Sequence, residues 1–220
     1  MKYLVPIILL SLMAACEQAP KADKATTQEA QSVKEGEGKS YHVDTTVSVV
    51  QFIGTKPTGK HTGIFRLLES KLYVEDTLVT GGSIKINMST LQDIDLAPTD
   101  SMLQHKLEAE LKGPMFFDIG KYPVATFEIT GVTTFKPSVG NEVLMKDANY
   151  TVQGNLTMKD STKNISFPAF ITREKGVIRA EANFNIDRTQ WGMSYRADQS
   201  MQDKLINSQV NIQFKLVAKQ

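Results

Sequence analysis

Five stretches of this chain alternate apolar and polar side chains with a period of two. Ile84, Ile86 and Met88 alternate with Lys85 and Asn87; Ala125, Phe127 and Ile129 alternate with Thr126 and Glu128. Val152, Gly154, Leu156 and Met158 are separated by Gln153, Asn155 and Thr157. Ile178, Ala180, Ala182, Phe184 and Ile186 alternate with Arg179, Glu181, Asn183 and Asn185, and Val210, Ile212, Phe214 and Leu216 with Asn211, Gln213 and Lys215. Successive side chains of a strand point to opposite faces, so each stretch has one dry face and one wet face. Antiparallel sheet shows that pattern, whereas parallel strands are apolar on both faces.

Further strands are expected over 41–55, 61–75 and 162–173, with turn signals at Lys56-Pro57-Thr58-Gly59, Gly81-Gly82, Lys159-Asp160-Ser161 and Glu174-Lys175-Gly176. One insertion breaks the period. Leu103, Leu107 and Leu111 share a helical face, Asp100 or Ser101 can cap the start, and Gly113-Pro114 stops the helix. A second short helix is expected near Asp198–Ile206. About eight strands with so few helices leave an apolar face uncovered. Closing the sheet on itself hides that face and removes exposed edges.

The N-terminus carries a different message. Lys2, a short apolar run and the small residues Ala14 and Ala15 lead to Cys16, the only cysteine. The run is shorter than the ~20 apolar residues that span a bilayer, and it has the layout of a cleaved secretory signal. Met13-Ala14-Ala15-Cys16 resembles a bacterial lipobox, with Met13 where leucine is usual. On this reading residues 1–15 are a signal peptide and Cys16 is lipidated, becoming the mature N-terminus. Acyl chains then anchor the protein to a membrane on the periplasmic side of the bacterial envelope. Glu17 stands where aspartate would favour inner-membrane retention, which points to the outer membrane. Residues 17–39 contain one valine and no aromatic residue, and read as a flexible tether with an end-to-end distance of ~25–30 Å. The domain proper is expected over 40–220.

Composition removes several function classes. Lys+Arg number 25 and Asp+Glu 24, so there is no basic surplus for nucleic acid. His42, His61 and His105 lie far apart in sequence without metal-ligand spacing, so neither a metal site nor a cofactor is expected. Asp93 and Asp95 read as solvated loop carboxylates, and His105 with Glu108 as a solvated helical pair. No nucleophile elbow, phosphate loop or dinucleotide fingerprint occurs, so the chain is not expected to be an enzyme.

Several segments together resemble the YceI-like family. They are Ser48-Val49-Val50-Gln51-Phe52, the run Leu111–Asp118 with its Phe116-Phe117 pair, and Lys121-Tyr122-Pro123-Val124-Ala125-Thr126-Phe127. The run Val152–Asp160 with Asn164-Ile165, and Ile186-Asp187-Arg188-Thr189-Gln190-Trp191-Gly192-Met193, complete the likeness over about 41–218. Gly63-Ile64-Phe65-Arg66 fits the family's Gly-x-Phe, whereas Lys159-Asp160-Ser161-Thr162 departs from its usual His-Gly-Val-Thr turn. The resemblance implies an all-β, closed antiparallel lipocalin-like β-barrel of about eight strands with one or two short helices. It also implies a long-chain apolar lipid, such as a polyisoprenoid or quinone, held in the lumen. The residues themselves do not identify a protein partner.

The side chains expected to line that lumen are Phe52, Phe65, Ile84, Ile86, Met88, Phe127, Ile129, Leu156, Met158, Phe184, Ile186 and Phe214. None carries charge, so they make either a hollow for an aliphatic chain or a solid core. Burying ~500 Å² of such a chain at ~25 cal/mol/Å² is worth roughly 12 kcal/mol before ordering costs. A solid-core structural or partner-binding lipoprotein is the alternative. Phe116, Phe117, Arg188 and Trp191 are expected at the mouth. Arg188 and Trp191 form either a lid with a head-group contact or a structural corner; Phe116 and Phe117 either line the entrance or anchor the insertion helix.

Overall fold

The computed structural model describes residues 18–96, 99–137, 143–198, 200 and 205–220. Its strands are β1 (Asp23–Lys24), β2 (Thr26–Glu29), β3 (Lys39–Val43), β4 (Val49–Lys56), β5 (Gly59–Leu67), β6 (Lys71–Glu75), β7 (Leu78–Asp93), β8 (Val124–Thr134), β9 (Tyr150–Met158), β10 (Ser161–Glu174), β11 (Val177–Asp187) and β12 (Gln209–Lys219). One α-helix, α1 (Ser101–Lys112), fills the connection between β7 and β8. The second helix expected near Asp198–Ile206 falls largely outside the described residues.

Pairing runs β11-β10-β9-β8-β7-β5-β4-β12, and β12 returns to β11 over their full length, from Val177↔Lys219 to Asp187↔Gln209. Eight staves thus close into the expected antiparallel barrel. Two staves are broken. β4 and β3 follow one another along β12, and β5 and β6 along β7. At each break a serine hydroxyl stands in for the missing backbone. Ser48 Oγ accepts the Val217 N–H at 3.0 Å, and Ser70 Oγ accepts the Lys85 N–H at 2.9 Å while donating to Leu68 O. Both serines are buried. A ladder can be interrupted in a dry wall only if its amides find other acceptors.

Gly81-Gly82 is not the turn expected; both glycines lie inside β7, and the chain reverses at Asp76-Thr77. Gly82 has φ +141°, and a Cβ there would lie 2.4 Å from the carbonyl oxygen of Lys71. These glycines accommodate the irregular β6–β7 pairing rather than ending a strand.

The coil expected over 17–39 is also corrected for its described part. β10 and β11 pair only between Phe170–Glu174 and Val177–Glu181, and the N-terminal segment supplies partners beyond that point. β1 runs parallel to β11 beside Phe184 and Asn185, and β2 antiparallel to β10 at Lys163–Ser166. Ala25 between them is buried in the core. The Asp23 carboxylate accepts the amides of Leu144 and Met145, and Gln31 exchanges hydrogen bonds with the Asn155 side chain. Backbone pairing, which composition does not reveal, holds this polar segment.

Replacing Ser48 with Ala leaves the Val217 N–H buried without its acceptor. We expect a loss of about 1–3 kcal/mol, measured as a lower urea midpoint with unchanged m-value.

Candidate functional site

The barrel encloses a cavity of about 220 Å³. All twelve residues expected to face inward border it: Phe52, Phe65, Ile84, Ile86, Met88, Phe127, Ile129, Leu156, Met158, Phe184, Ile186 and Phe214. Among the described residues, only Arg188, Asn207 and Lys215 of the bordering side chains are charged or amide-bearing. Ile86, Phe127, Ile212 and Phe214 point inward from three different strands yet are only half-buried. Interior side chains retain accessible surface only where they meet a void, which excludes a fully packed core. The bordering residues of β7 run from Val79 to Met88. At ~3.3 Å per residue and a tilt of ~40°, they span about 20–25 Å of the barrel axis.

Two glycines make room for rings in the wall. A Cβ on Gly154 would lie 2.3 Å from the Phe127 ring, and one on Gly63 would lie 2.3 Å from the Phe52 ring. Each ring therefore occupies space that any side chain larger than glycine's would take. Phe167 was not among the residues expected to face the lumen, although it organises the middle of the wall. Its ring stacks on Phe184 at 4.0 Å and meets Phe127 at 5.7 Å and Phe214 at 5.9 Å. The alternation Ile165, Phe167, Ala169, Ile171 marks it, but Pro168 and Phe170 on the outer face blur the polar half of the pattern.

One end of the barrel is built from the turn at 57–58, the α1 insertion and the described residues of 188–198 and 205–208. Phe117 meets Phe52 at 6.1 Å and Phe65 at 5.3 Å, so it forms part of the cavity wall at this mouth. Phe116 is buried edge-on against Tyr195 at 5.7 Å. Leu111 borders the cavity, whereas Leu103 is exposed and α1 has no fully buried residue. Asp100, rather than Ser101, caps α1 by accepting the Leu103 N–H at 2.9 Å.

Arg188 and Trp191 take the structural alternative. The Arg188 guanidinium donates to the carbonyls of Met193, Tyr195, Ile206 and Asn207. Burial lowers its pKa from the ordinary value, and its donors are engaged with the loop rather than presented to a head group. Trp191 is 0% exposed, does not border the cavity, and donates its indole N–H to Leu156 O at 2.9 Å. It is a corner post, not a lid.

Asp93 and Asp95 are not a solvated loop pair. The β4–β5–β7 register brings them to His61, whose Nδ1 lies 3.2 Å from Asp95 Oδ2 and 4.0 Å from Asp93 Oδ2. Asp93 ends β7 at 1% exposure, and its other oxygen accepts the Leu96 N–H at 2.8 Å. It also ties down α1: its N–H donates to Glu108 Oε1, and its carbonyl accepts from Gln104 Nε2, both at 3.0 Å. Glu108 therefore faces β7 and does not pair with His105, which contacts Ser101 O instead. Burial, with the Asp95 charge beside it, raises the Asp93 pKa.

A carboxyl whose pKa rises on folding binds its proton more tightly in the folded state. Its contribution falls as pH climbs from the ordinary value toward the raised one. Asp93→Asn keeps the acceptor for Leu96 and removes the charge. We expect a higher melting temperature at pH 7 and a gain that vanishes below about pH 4, checked by melting curves across that range.

Solved structures share this architecture, two of them with comparable coverage. BcnA from Burkholderia cenocepacia superposes with a TM-score of 0.57 at 20% identity, covering 80% of this chain and 98% of its own. A polyisoprenoid binding domain from Saccharophagus degradans, implicated in plant cell wall breakdown, also gives 0.57, at 12% identity and 81% and 97% coverage. No curated protein matches the chain by sequence. Residues 41–218 match the family model of the YceI-like domain, which spans the broken and unbroken staves alike, and the chain belongs to that family.

Proposed function

We propose that this protein binds a long-chain apolar lipid, such as a polyisoprenoid or quinone, in its barrel lumen and acts as a membrane-anchored carrier or reservoir. The observation that carries this reading is an elongated void with an apolar wall, in which half-buried aromatic and aliphatic side chains meet empty space. That lining selects for apolarity and slenderness and gives little polar orientation. The description of the S. degradans domain as polyisoprenoid binding accords with this class of ligand.

Binding rather than catalysis is the reading the wall supports. Among the described residues, those bordering the cavity include no serine, cysteine, histidine or carboxylate, and the bordering Arg188 is engaged with loop carbonyls. Anchoring follows from the lipobox-like Met13-Ala14-Ala15-Cys16, with diacylglyceryl on the Cys16 thiol. Two acyl chains hold a protein stably where one does not. The periplasmic face of the outer membrane is the location this implies.

Delipidated protein titrated with a radiolabelled long-chain prenol should bind about one molecule per chain. A micromolar affinity needs only about −8 kcal/mol, within what apolar burial supplies. Ile86→Trp, which places an indole in the void, should weaken uptake by at least about tenfold, equivalent to about 1.4 kcal/mol. Circular dichroism should confirm that the fold is retained. No saturable uptake by either protein would refute the proposal.

A further inference from the structure

The place where the N-terminal segment joins the barrel determines which end would face a membrane. Gln18 and Ala19 border a shallow hollow with Asn185, Asn207 and Ser208, and Pro20 O accepts from Asn185 Nδ2 at 3.0 Å. Asn207 belongs to the mouth. Its N–H donates to Thr55 O, its side chain to Thr55 Oγ1, and its carbonyl accepts from Arg188. Gln18 follows Cys16 by two positions, a reach of at most ~7 Å. Beyond Pro20 there is little slack, because β1, Ala25 and β2 are fixed in the seam between β10 and β11. Acyl chains on Cys16 would therefore emerge beside the mouth, not at the end of a 25–30 Å leash.

The distribution of exposed apolar side chains points to the same end independently. Among the described residues, five of the ten exposed large hydrophobic side chains (Ile94, Met102, Leu103, Met115 and Val124) belong to the mouth segment 94–124. Met102 is 82% exposed and Met115 59%. Isolated exposed apolar residues need no explanation, but this concentration at one end of an apolar channel does. α1 is held to the barrel chiefly through polar contacts of Gln104 and Glu108 with Asp93, which leaves Met102 and Leu103 facing outward.

We propose that the mouth of the barrel rests on the lipid bilayer, with Met102, Leu103 and Met115 entering the interfacial layer. A lipid then passes between bilayer and lumen without crossing bulk water. Amphipathic elements of this kind sit ~5–10 Å deep at the boundary between head groups and acyl chains. Exposed Lys106 and Glu110 on the same helix balance one another, so the contact does not depend on anionic lipid. The proposal rests on the reading of Cys16 as acylated and adds an orientation to it.

The test uses the full acylated protein in phosphatidylcholine vesicles. The Cys16 sulfur is then a thioether, so a cysteine introduced as Met102→Cys, Met115→Cys or Leu78→Cys is the only free thiol. Leu78 is exposed at the start of β7, on the opposite end. A polarity-sensitive fluorophore should shift to the blue and be quenched by bromolipids at positions 102 and 115, and neither at 78. Equal signals at all three positions, or the reverse order, would overturn the orientation. As a second measurement, Met102→Glu combined with Met115→Glu should slow prenol transfer from vesicles about tenfold while leaving uptake from dilute ethanol unchanged. Unaltered vesicle transfer would also overturn it. Mass spectrometry lacking diacylglyceryl on Cys16 would remove the orientation together with the anchor, whereas lost uptake from ethanol in the wild-type chain would refute lumen binding instead.

Discussion

Closure of the backbone ladder is the constraint from which the other features follow. Eight staves paired into a closed ladder form a ring whose bore is set by strand number and stagger, not by side-chain volume. Side chains must then either fill that bore or leave it open. Here the large rings are drawn back to the wall: Phe52 lies against Gly63, Phe127 against Gly154, and Phe167 stacks on Phe184. The axis remains empty. An apolar void of this size is not filled by water, because the wall offers water almost no polar partners.

The same demand for closure explains the barrel's irregularities. Where two staves break, buried Ser48 and Ser70 supply the hydroxyls that satisfy the interrupted ladders. Where β10 and β11 part, the N-terminal segment enters the seam and pairs with both. Across the mouth, the Arg188 guanidinium gathers four loop carbonyls, and Trp191 satisfies the Leu156 carbonyl. Each device supplies a hydrogen-bond partner to backbone groups in a dry wall. Each also stiffens the rim of the hollow, so that the void persists without collapsing.

Much of the lumen was legible because its signal is local. Alternation over Ile84–Met88 or Ile178–Ile186 states which face is dry within a few residues, and register errors are suppressed when one face must be apolar. The features that escaped depend on partners far away in sequence. Thr26–Glu29 has no apolar pattern and joins the sheet only because β10 lacks a neighbour there, across more than a hundred residues. His61 meets Asp93 and Asp95 only through the β4–β5–β7 register, which no spacing rule encodes. Gly81-Gly82 carries the composition of a turn, yet the conformations glycine permits were used for an irregular strand pairing instead. Arg188 and Trp191 left two roles open because the carbonyls that claim them come from a distant strand and a loop.

A hollow this dry is expected to be filled in the cell, which makes the occupant of the purified protein the most direct test. Native mass spectrometry of protein isolated gently from its own membrane should show a stoichiometric addition of several hundred daltons or more. Organic extraction should remove that addition and yield a long-chain apolar lipid. A mass that equals the processed chain alone, before and after extraction and after incubation with prenyl lipids, would contradict the account.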